Sequence, residues 1–432
     1  MKKLILTLVC LPFLGFGQQS LKGTFAPADE FTYAFLYKAN PDGADYVNRA
    51  QLDSLGHFEM ALDSSLVPGM YKIVYAIPPE DNNFDFIYNG KEDVAFDFNL
   101  DSGVTFTTSH ENKLWDSYRK SMDMVNQTIS NYFRKESTDK TAFKDIFKTL
   151  KDTQTAYEDS AEGTMAKTFI TSNKPYIPED YEDISLYSEH LKANYLKPVD
   201  FNNTLLQSST FIEDRIMAYV FGFVASPLDN EAYIKQVDGV SKAIASCSSA
   251  KKIQLMSMLW QNFANTENET LANYIADTYL IQLAEKEKDA ELVQALNAYK
   301  NTSLGKKAPD FKISDSKLLS ELDDAEHYIL VFWSSTCGHC IKELPEVKSL
   351  VSNTPTIKVI AYGIEEDSYN WKKQIEQYPN FIHVLGLDKW NNPLIKGYGI
   401  TATPTYFILN KDKTIIAKPY DLKALKAALE KL

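Results

Sequence analysis

An unbroken apolar run, Tyr328-Ile329-Leu330-Val331-Phe332-Trp333, leads through Ser334-Ser335-Thr336 into Cys337-Gly338-His339-Cys340. A short apolar run bounded by polar residues reads as a strand buried on both faces. The residues from Gly338 to about Val351 keep helical spacing despite Pro345, so the cysteine pair sits where a strand turns into a helix. The rest of the C-terminal third agrees with that reading. Ile357–Gly363 is a second apolar strand, Ser368–Tyr378 is helical, and Ile382–Leu387 is a third strand. Thr405–Leu409 and Thr414–Ala417 form a hairpin across Asn410-Lys411-Asp412-Lys413, and Leu422–Leu432 closes as a helix. The order β-α-β-α-β-β-α predicts a three-layer α/β domain with a mixed sheet.

The chemistry of the pair follows from its place. At a helix N-terminus Cys337 meets the positive end of the helix dipole and unpaired backbone N–H groups. Both favour the thiolate, which is the nucleophile of disulfide exchange. Cys340, three residues on, shares the same face and can close a disulfide with Cys337. The outer Cys337 is then the attacking thiol and the deeper Cys340 the resolving one. Three other uses remain for such a pair. A structural zinc site wants two further Cys or His at matching spacing, and neither is present. A c-type haem site wants His directly after the second cysteine, where Ile341 stands. An inert structural disulfide fits the spacing but not a strand-to-helix junction.

At 432 residues the chain suggests about three domains at roughly 150 residues each. Hydrophobic residues make up 44% and charged residues 24%, an ordinary globular composition. The first region, 18–108, alternates apolar and polar positions in short runs such as Phe31–Tyr37, Gly69–Tyr75, Asp85–Tyr88 and Val94–Phe98. Turn signals, Asn40-Pro41-Asp42-Gly43 and Asn89-Gly90, separate them. This predicts an antiparallel β domain of sandwich or barrel type. From 109 to 300 the period becomes helical, first at Leu114, Trp115, Tyr118, Met122, Val125 and Ile129. It continues through 143–156, 181–195, 210–224, 232–245, 252–264, 271–283 and 290–300, so an α-helical middle domain is expected. Its Met217, Met256, Met258 and Trp260 read as core. Residues 301–309 read as a polar linker into the C-terminal domain, 302–432. Cys247 reads as a small buried residue and Glu365-Glu366-Asp367 as a solvated loop. His57, His110, His190, His327 and His383 show no metal-ligand spacing.

Residues 1–17 carry a basic start at Lys2 and Lys3, an apolar stretch from Leu4 to Phe16, and Gly15 and Gly17 at the −3 and −1 positions of a cut before Gln18. This is the pattern of a secretory signal peptide. Leu8 and Val9, ahead of Cys10, do not match a lipoprotein signal. No other run reaches the ~18 apolar residues of a membrane span. Removing the segment takes the net charge from −13 to −15 and leaves Cys247, Cys337 and Cys340. An acidic chain of this kind is not built for a nucleic-acid backbone or an anionic membrane surface.

Residues 302–432 resemble the TlpA/ResA-like thioredoxin-fold family. The matching pieces are Gly305-Lys306-Lys307-Ala308-Pro309-Asp310-Phe311, Phe332–Cys340, Lys342-Glu343-Leu344-Pro345 and Tyr398-Gly399-Ile400-Thr401-Ala402-Thr403-Pro404-Thr405. Residues 18–301 resemble, more weakly, the β and helical regions that precede this domain in exported Bacteroidetes proteins. The resemblance implies that Pro404 is a cis-proline facing the cysteines, with the Thr403 backbone open to strand-like pairing with a substrate segment. It implies substrate contact by Trp333, His339, Thr403 and Pro404. It also gives Glu343 the role of handling the Cys340 proton, since Val331 stands where thioredoxin has a buried Asp. Thr336 departs from the family's aromatic before the first cysteine, and His339 from the proline between the two.

Together these readings predict an exported, periplasmic thiol–disulfide oxidoreductase. It would act on protein thiols and disulfides, need no cofactor or metal, and draw electrons from a periplasmic or membrane partner. Two other readings differ in class: a partner-binding protein whose thioredoxin-like domain is mainly a scaffold, and a thiol peroxidase. The latter lacks the Pro-x-x-x-Thr-x-x-Cys arrangement around Cys337. A His at position 339 near a thiolate stabilises the reduced form, so the pair is expected to be more oxidising than a Cys-Gly-Pro-Cys site. His339→Pro is expected to lower the potential. A wild-type value at or below about −270 mV, the level of thioredoxin, would remove the argument.

Overall fold

The computed structural model describes residues 19–432; the signal-peptide reading of 1–17 lies outside the described residues. The chain forms two compact units. One comprises the described residues up to Asp229 together with Asp238–Cys247, the other Asn230–Val237 with Ser248–Leu432.

The first unit opens with eight strands: β1 (Gln19–Ala26), β2 (Tyr33–Asn40), β3 (Gly43–Gln51), β4 (His57–Leu62), β5 (Gly69–Val74), β6 (Asn83–Tyr88), β7 (Val94–Asn99) and β8 (Gly103–Phe106). They make two four-stranded sheets, ordered β4-β1-β7-β8 and β3-β2-β5-β6. The period-two pattern sends alternate residues inward. Leu21, Phe25, Phe58 and Phe96 of one sheet meet Leu36, Ile73, Phe86 and Tyr88 of the other in one core. The pairings are antiparallel apart from β1 with β7, which run parallel. Turn signals report hairpins between sequence neighbours and are blind to a pairing made across such a distance in sequence.

Helices follow: α1 (His110–Arg134), α2 (Lys140–Ser160), α3 (Ala166–Ser172), α4 (Ile184–Asn194), α5 (Thr204–Gln207), α6 (Phe211–Gly222) and α7 (Asn230–Ala243). Side chains of Asp139, Asp183 and Asn203 cap α2, α4 and α5, as helix N-termini require. The buried Asn112 of α1 exchanges two hydrogen bonds with the Ile87 backbone, at 2.7 and 2.8 Å, which ties α1 to β6.

The second unit holds α8 (Ser249–Asn265), α9 (Glu269–Ile275), α10 (Ile281–Glu287) and α11 (Ala290–Asn301). A π-helical turn at Ala276–Leu280 divides what reads as one helix over 271–283. Residues 302–308 do not behave as a free linker. Thr302 and Ser303 are buried, and Gly305 and Ala308 donate backbone hydrogen bonds to Ile415 and Lys413. After a small hairpin of β9 (Lys312–Ser314) and β10 (Lys317–Leu318) comes the main sheet: β11 (His327–Trp333), β12 (Ile357–Ile364), β13 (Ile382–Gly386), β14 (Thr405–Asn410) and β15 (Ile415–Ala417). Its order is β13-β12-β11-β14-β15. β11, β12 and β13 run parallel, β14 pairs antiparallel with β11, and β15 pairs antiparallel with β14. Between the strands lie α12 (Gly338–Val351), α13 (Tyr369–Ile375), α14 (Pro393–Tyr398) and the closing α15 (Leu422–Leu429). The apolar run of β11 is buried on both sides. Tyr328, Leu330 and Phe332 face a core with Ile395 and Tyr398 of α14. Ile329, Val331 and Trp333 face one with Leu344 and Val347 of α12, Trp371 of α13 and Leu425 of α15.

Gly386 closes β13 where a side chain has no room. A Cβ there would lie 2.2 Å from the Tyr362 ring, and Phe311 and Phe332 hold that ring from two sides at 5.5 and 5.4 Å. Gly386→Ala is expected to cost about 1–3 kcal/mol by overpacking. The measurement is the urea midpoint of the full chain at unchanged m-value; an unmoved midpoint would show that Tyr362 swings aside freely.

Candidate active site

Trp333 ends β11, and residues 334–336 carry the chain to Cys337, which caps α12. The Cys337 sulfur accepts a hydrogen bond from the Cys340 N–H at 3.2 Å. Sulfur thus occupies the place that Ser, Asp or Asn takes at other helix starts. The Cys337 N–H in turn donates to the Ser334 carbonyl at 3.1 Å. Opposite the pair, the Thr403–Pro404 bond is cis, and the Thr403 carbonyl lies 3.4 Å from the Cys337 sulfur.

The two thiols are held in opposite conditions. Cys337 is part-exposed and Cys340 fully buried. Burial is the largest single influence on Cys337 and raises its pKa. Hydrogen bonds from the Cys340 thiol, the Thr403 side chain and the backbone N–H groups of Cys340 and His339 outweigh it, so the thiol sits below its usual value. Cys340 is pushed up to about 12, first by burial and then by its hydrogen bond with Cys337. The backbone of Ser334 acts on it in the opposite direction. These are the conditions of a nucleophile and of a thiol kept protonated.

Two carboxylates complete the surroundings. Glu343, half-buried one turn beyond Cys340, accepts a hydrogen bond from the Tyr406 hydroxyl at 2.7 Å. Tyr406 is buried in the same core as Cys340. Its phenol is driven above the usual range by burial, then by Glu343 and by the cysteines. Glu365, directly after β12, is 4% exposed. It accepts the Ser335 N–H at 2.5 Å and the Ser335 hydroxyl at 2.9 Å.

A family described as thioredoxin-like matches residues 325–415. The ResA thiol–disulfide oxidoreductase of Bacillus thuringiensis subsp. konkukian is 30% identical over 118 residues, covering 26% of this chain and 67% of the relative. The chain belongs to the TlpA/ResA-like family of thioredoxin-fold thiol–disulfide oxidoreductases. Among solved structures, a domain of a possible thiol–disulfide isomerase from Cytophaga hutchinsonii is 32% identical, covering 30% of this chain and 91% of its own, with a TM-score of 0.26. A thioredoxin-like protein from Bacteroides caccae is 17% identical, covering 59% and 96%, with a TM-score of 0.32.

Within this family member, Cys337, Cys340, Thr403 and Pro404 come together. His339 lies exposed on the first turn of α12, and it is its backbone N–H that bears on the Cys337 sulfur. Trp333 is 1% exposed. Its burial corrects the expectation of substrate contact, because β11 turns this ring into the core beneath Cys340. Glu365 corrects the solvated-loop reading of 365–367. The position at the carboxyl end of a parallel strand, where α/β sheets gather their sites, was the available signal. Cys247 is buried in the first unit, its sulfur 3.6 Å from the Phe201 carbonyl. No group of three or more His, Cys, Asp or Glu able to hold a metal occurs among the described residues.

The contrast between the thiols has a direct readout. In the reduced protein, iodoacetamide is expected to modify Cys337 first, with a rate-against-pH midpoint below that of an ordinary thiol, about 8.5. Below about pH 10, Cys340 is expected to react at least tenfold more slowly. Mass mapping of the first modified residue checks both; first labelling at Cys340 would reverse the assignment.

Proposed function

We propose that this chain is an exported thiol–disulfide oxidoreductase that exchanges disulfides with protein substrates through Cys337 and Cys340. The observation that carries this reading is the pairing of a part-exposed, low-pKa Cys337 at a helix start with a buried, high-pKa Cys340 one turn inside.

In the reducing direction the Cys337 thiolate attacks one sulfur of a substrate disulfide. A Cys337–substrate bond forms, the substrate S–S bond breaks, and the other substrate sulfur leaves as a thiolate and takes a proton. Cys340 then loses its proton and attacks Cys337. The Cys337–Cys340 bond forms and the second substrate sulfur leaves. Two electrons have passed to the substrate, and a reduced dithiol partner must return them. Run backwards, the same steps oxidise a substrate dithiol. In this reading the Glu343 carboxylate, which accepts the Tyr406 hydroxyl, acts as the base that takes the Cys340 proton. The backbone at Thr403, before cis-Pro404, would hold the substrate segment by strand-like pairing. The 1–17 pattern supports export to the periplasm. No helix among the described residues is long and apolar enough to cross a membrane.

Cys337→Ser is expected to abolish disulfide reduction and to trap nothing. Cys340→Ser should accumulate mixed disulfides that vanish on adding reductant, and Cys247→Ser should change neither outcome. Non-reducing gels of alkylated periplasm read all three. Trapping by Cys337→Ser alone would reverse the roles. No trapping together with an inactive wild type would favour the scaffold reading. Glu343→Gln is expected to slow resolution about 10²-fold, the lower end of general acid–base effects, while leaving the first attack unchanged. Equal slowing of both steps would remove Glu343 from the proton path.

A further inference from the structure

The buried carboxylate of Glu365 has no part in the exchange steps above, yet it is bonded to the segment that carries the nucleophile. Both its hydrogen bonds go to Ser335, two residues before Cys337. Ser335 is itself 5% exposed. The preceding residue, Ser334, serves both cysteines through its backbone. Its carbonyl accepts the Cys337 N–H at 3.1 Å, and its backbone bears on the Cys340 sulfur in the direction that favours the thiolate. On its own side Glu365 is fixed by the main chain. Its N–H donates to Gly386 of β13 at 2.9 Å, and its carbonyl accepts from Lys389 at 3.2 Å.

A buried carboxylate is costly to keep unless it is well bonded. Burial pushes this one above the usual carboxylate range, against the two Ser335 bonds. An anchor of the 334–336 turn could have been apolar, as Trp333 is just before it. A carboxylate accepting two hydrogen bonds from one residue instead fixes the position and the rotation of the Ser334–Ser335 peptide, and so sets where the Ser334 C=O points and where the Ser334 backbone sits.

We propose that Glu365 is a positioning residue of the redox site: through Ser335 it fixes the Ser334–Ser335 peptide, and with it the Ser334 backbone that meets the Cys337 N–H and the Cys340 sulfur, and thereby sets the thiolate character of Cys337 and the resolving competence of Cys340. This rests on the dithiol reading of the site, and its test reads the cysteines themselves rather than turnover. The series is Glu365→Ala, Glu365→Gln and Ser335→Ala in the full chain. Three quantities are measured: the pH midpoint of Cys337 alkylation, the equilibrium constant of the Cys337–Cys340 disulfide against glutathione, and the rate at which a preformed mixed disulfide resolves.

Glu365→Ala is expected to raise the alkylation midpoint by half a pH unit or more, to shift the glutathione equilibrium at least threefold, and to slow resolution at least fivefold. Glu365→Gln keeps an acceptor for the Ser335 N–H and should recover at least half of each effect. Ser335→Ala keeps the N–H bond and loses the hydroxyl bond, so it should fall between wild type and Glu365→Ala. Thermal melts separate this from a packing role. Variants that lose stability while all three cysteine measurements stay within twofold of wild type would overturn the proposal. So would Gln behaving like Ala. Should Glu365→Ala fail to fold, Glu365→Gln and Ser335→Ala still decide, because the proposal requires Ser335→Ala to shift the alkylation midpoint. A wild type that turns over no disulfide substrate would sink the oxidoreductase reading and leave these three measurements interpretable.

Discussion

The chemistry of this domain depends on one hydrogen bond, the donation of the Cys340 N–H to the Cys337 sulfur at the start of α12. A helix must satisfy its first N–H groups with something. Giving that task to a sulfur makes the helix start and the reactive thiol one feature. The bond places Cys337 at the cap and Cys340 one turn inside, and the core beneath the helix then buries Cys340 and leaves Cys337 part-exposed; burial raises the one thiol, and hydrogen bonds, this one among them, lower the other. The spacing of two residues between the cysteines is therefore a consequence of helix geometry as much as of disulfide geometry.

Holding the cap in place is the work of the sheet. β11 splits its residues between two cores by strict alternation, with Tyr328, Leu330 and Phe332 on one side and Ile329, Val331 and Trp333 on the other. A strand locked from both faces cannot slide by one residue without exchanging every side chain between cores. Its C-terminal end is thus a fixed point, and the turn to Cys337 starts from it. Cys340 belongs to the same core as Trp333 and Val331, so packing beneath the strand and burial of the resolving thiol are one arrangement.

What could be read along the chain and what could not divide by distance in sequence. The buried strand, the helix after it and the unequal cysteines are all local: they rest on a run of apolar residues, a spacing and a helix end. The alternating runs that became β2, β5, β6 and β7 were local too, but the parallel pairing of β1 with β7 was not. The site's second layer was hidden for the same reason. Tyr406 reaches Glu343, and Glu365 reaches Ser335, across long loops of chain. Glu365 stands among Glu366 and Asp367, and only the fold separates the buried one from its exposed neighbours. Short elements escaped as well. The six residues of α14 carry too little periodicity to stand out, and Tyr398 at its end is held by the Pro309 carbonyl at 2.5 Å.

The high pKa of Cys340 bears on the order of events. Two causes raise it: burial, which is permanent, and the hydrogen bond and negative charge of Cys337, which are not. Once the Cys337 sulfur is bonded to a substrate it carries no charge, and the second cause disappears while the Ser334 backbone contribution in the opposite sense remains. The Cys340 pKa must then fall, because removing a nearby like charge favours ionisation. In the proposed exchange, Cys340 would stay a thiol before the attack by Cys337 and would become easier to ionise after it, when a second nucleophile is needed. Electrostatics inside the pair would thus favour, in that exchange, attack by Cys337 before attack by Cys340.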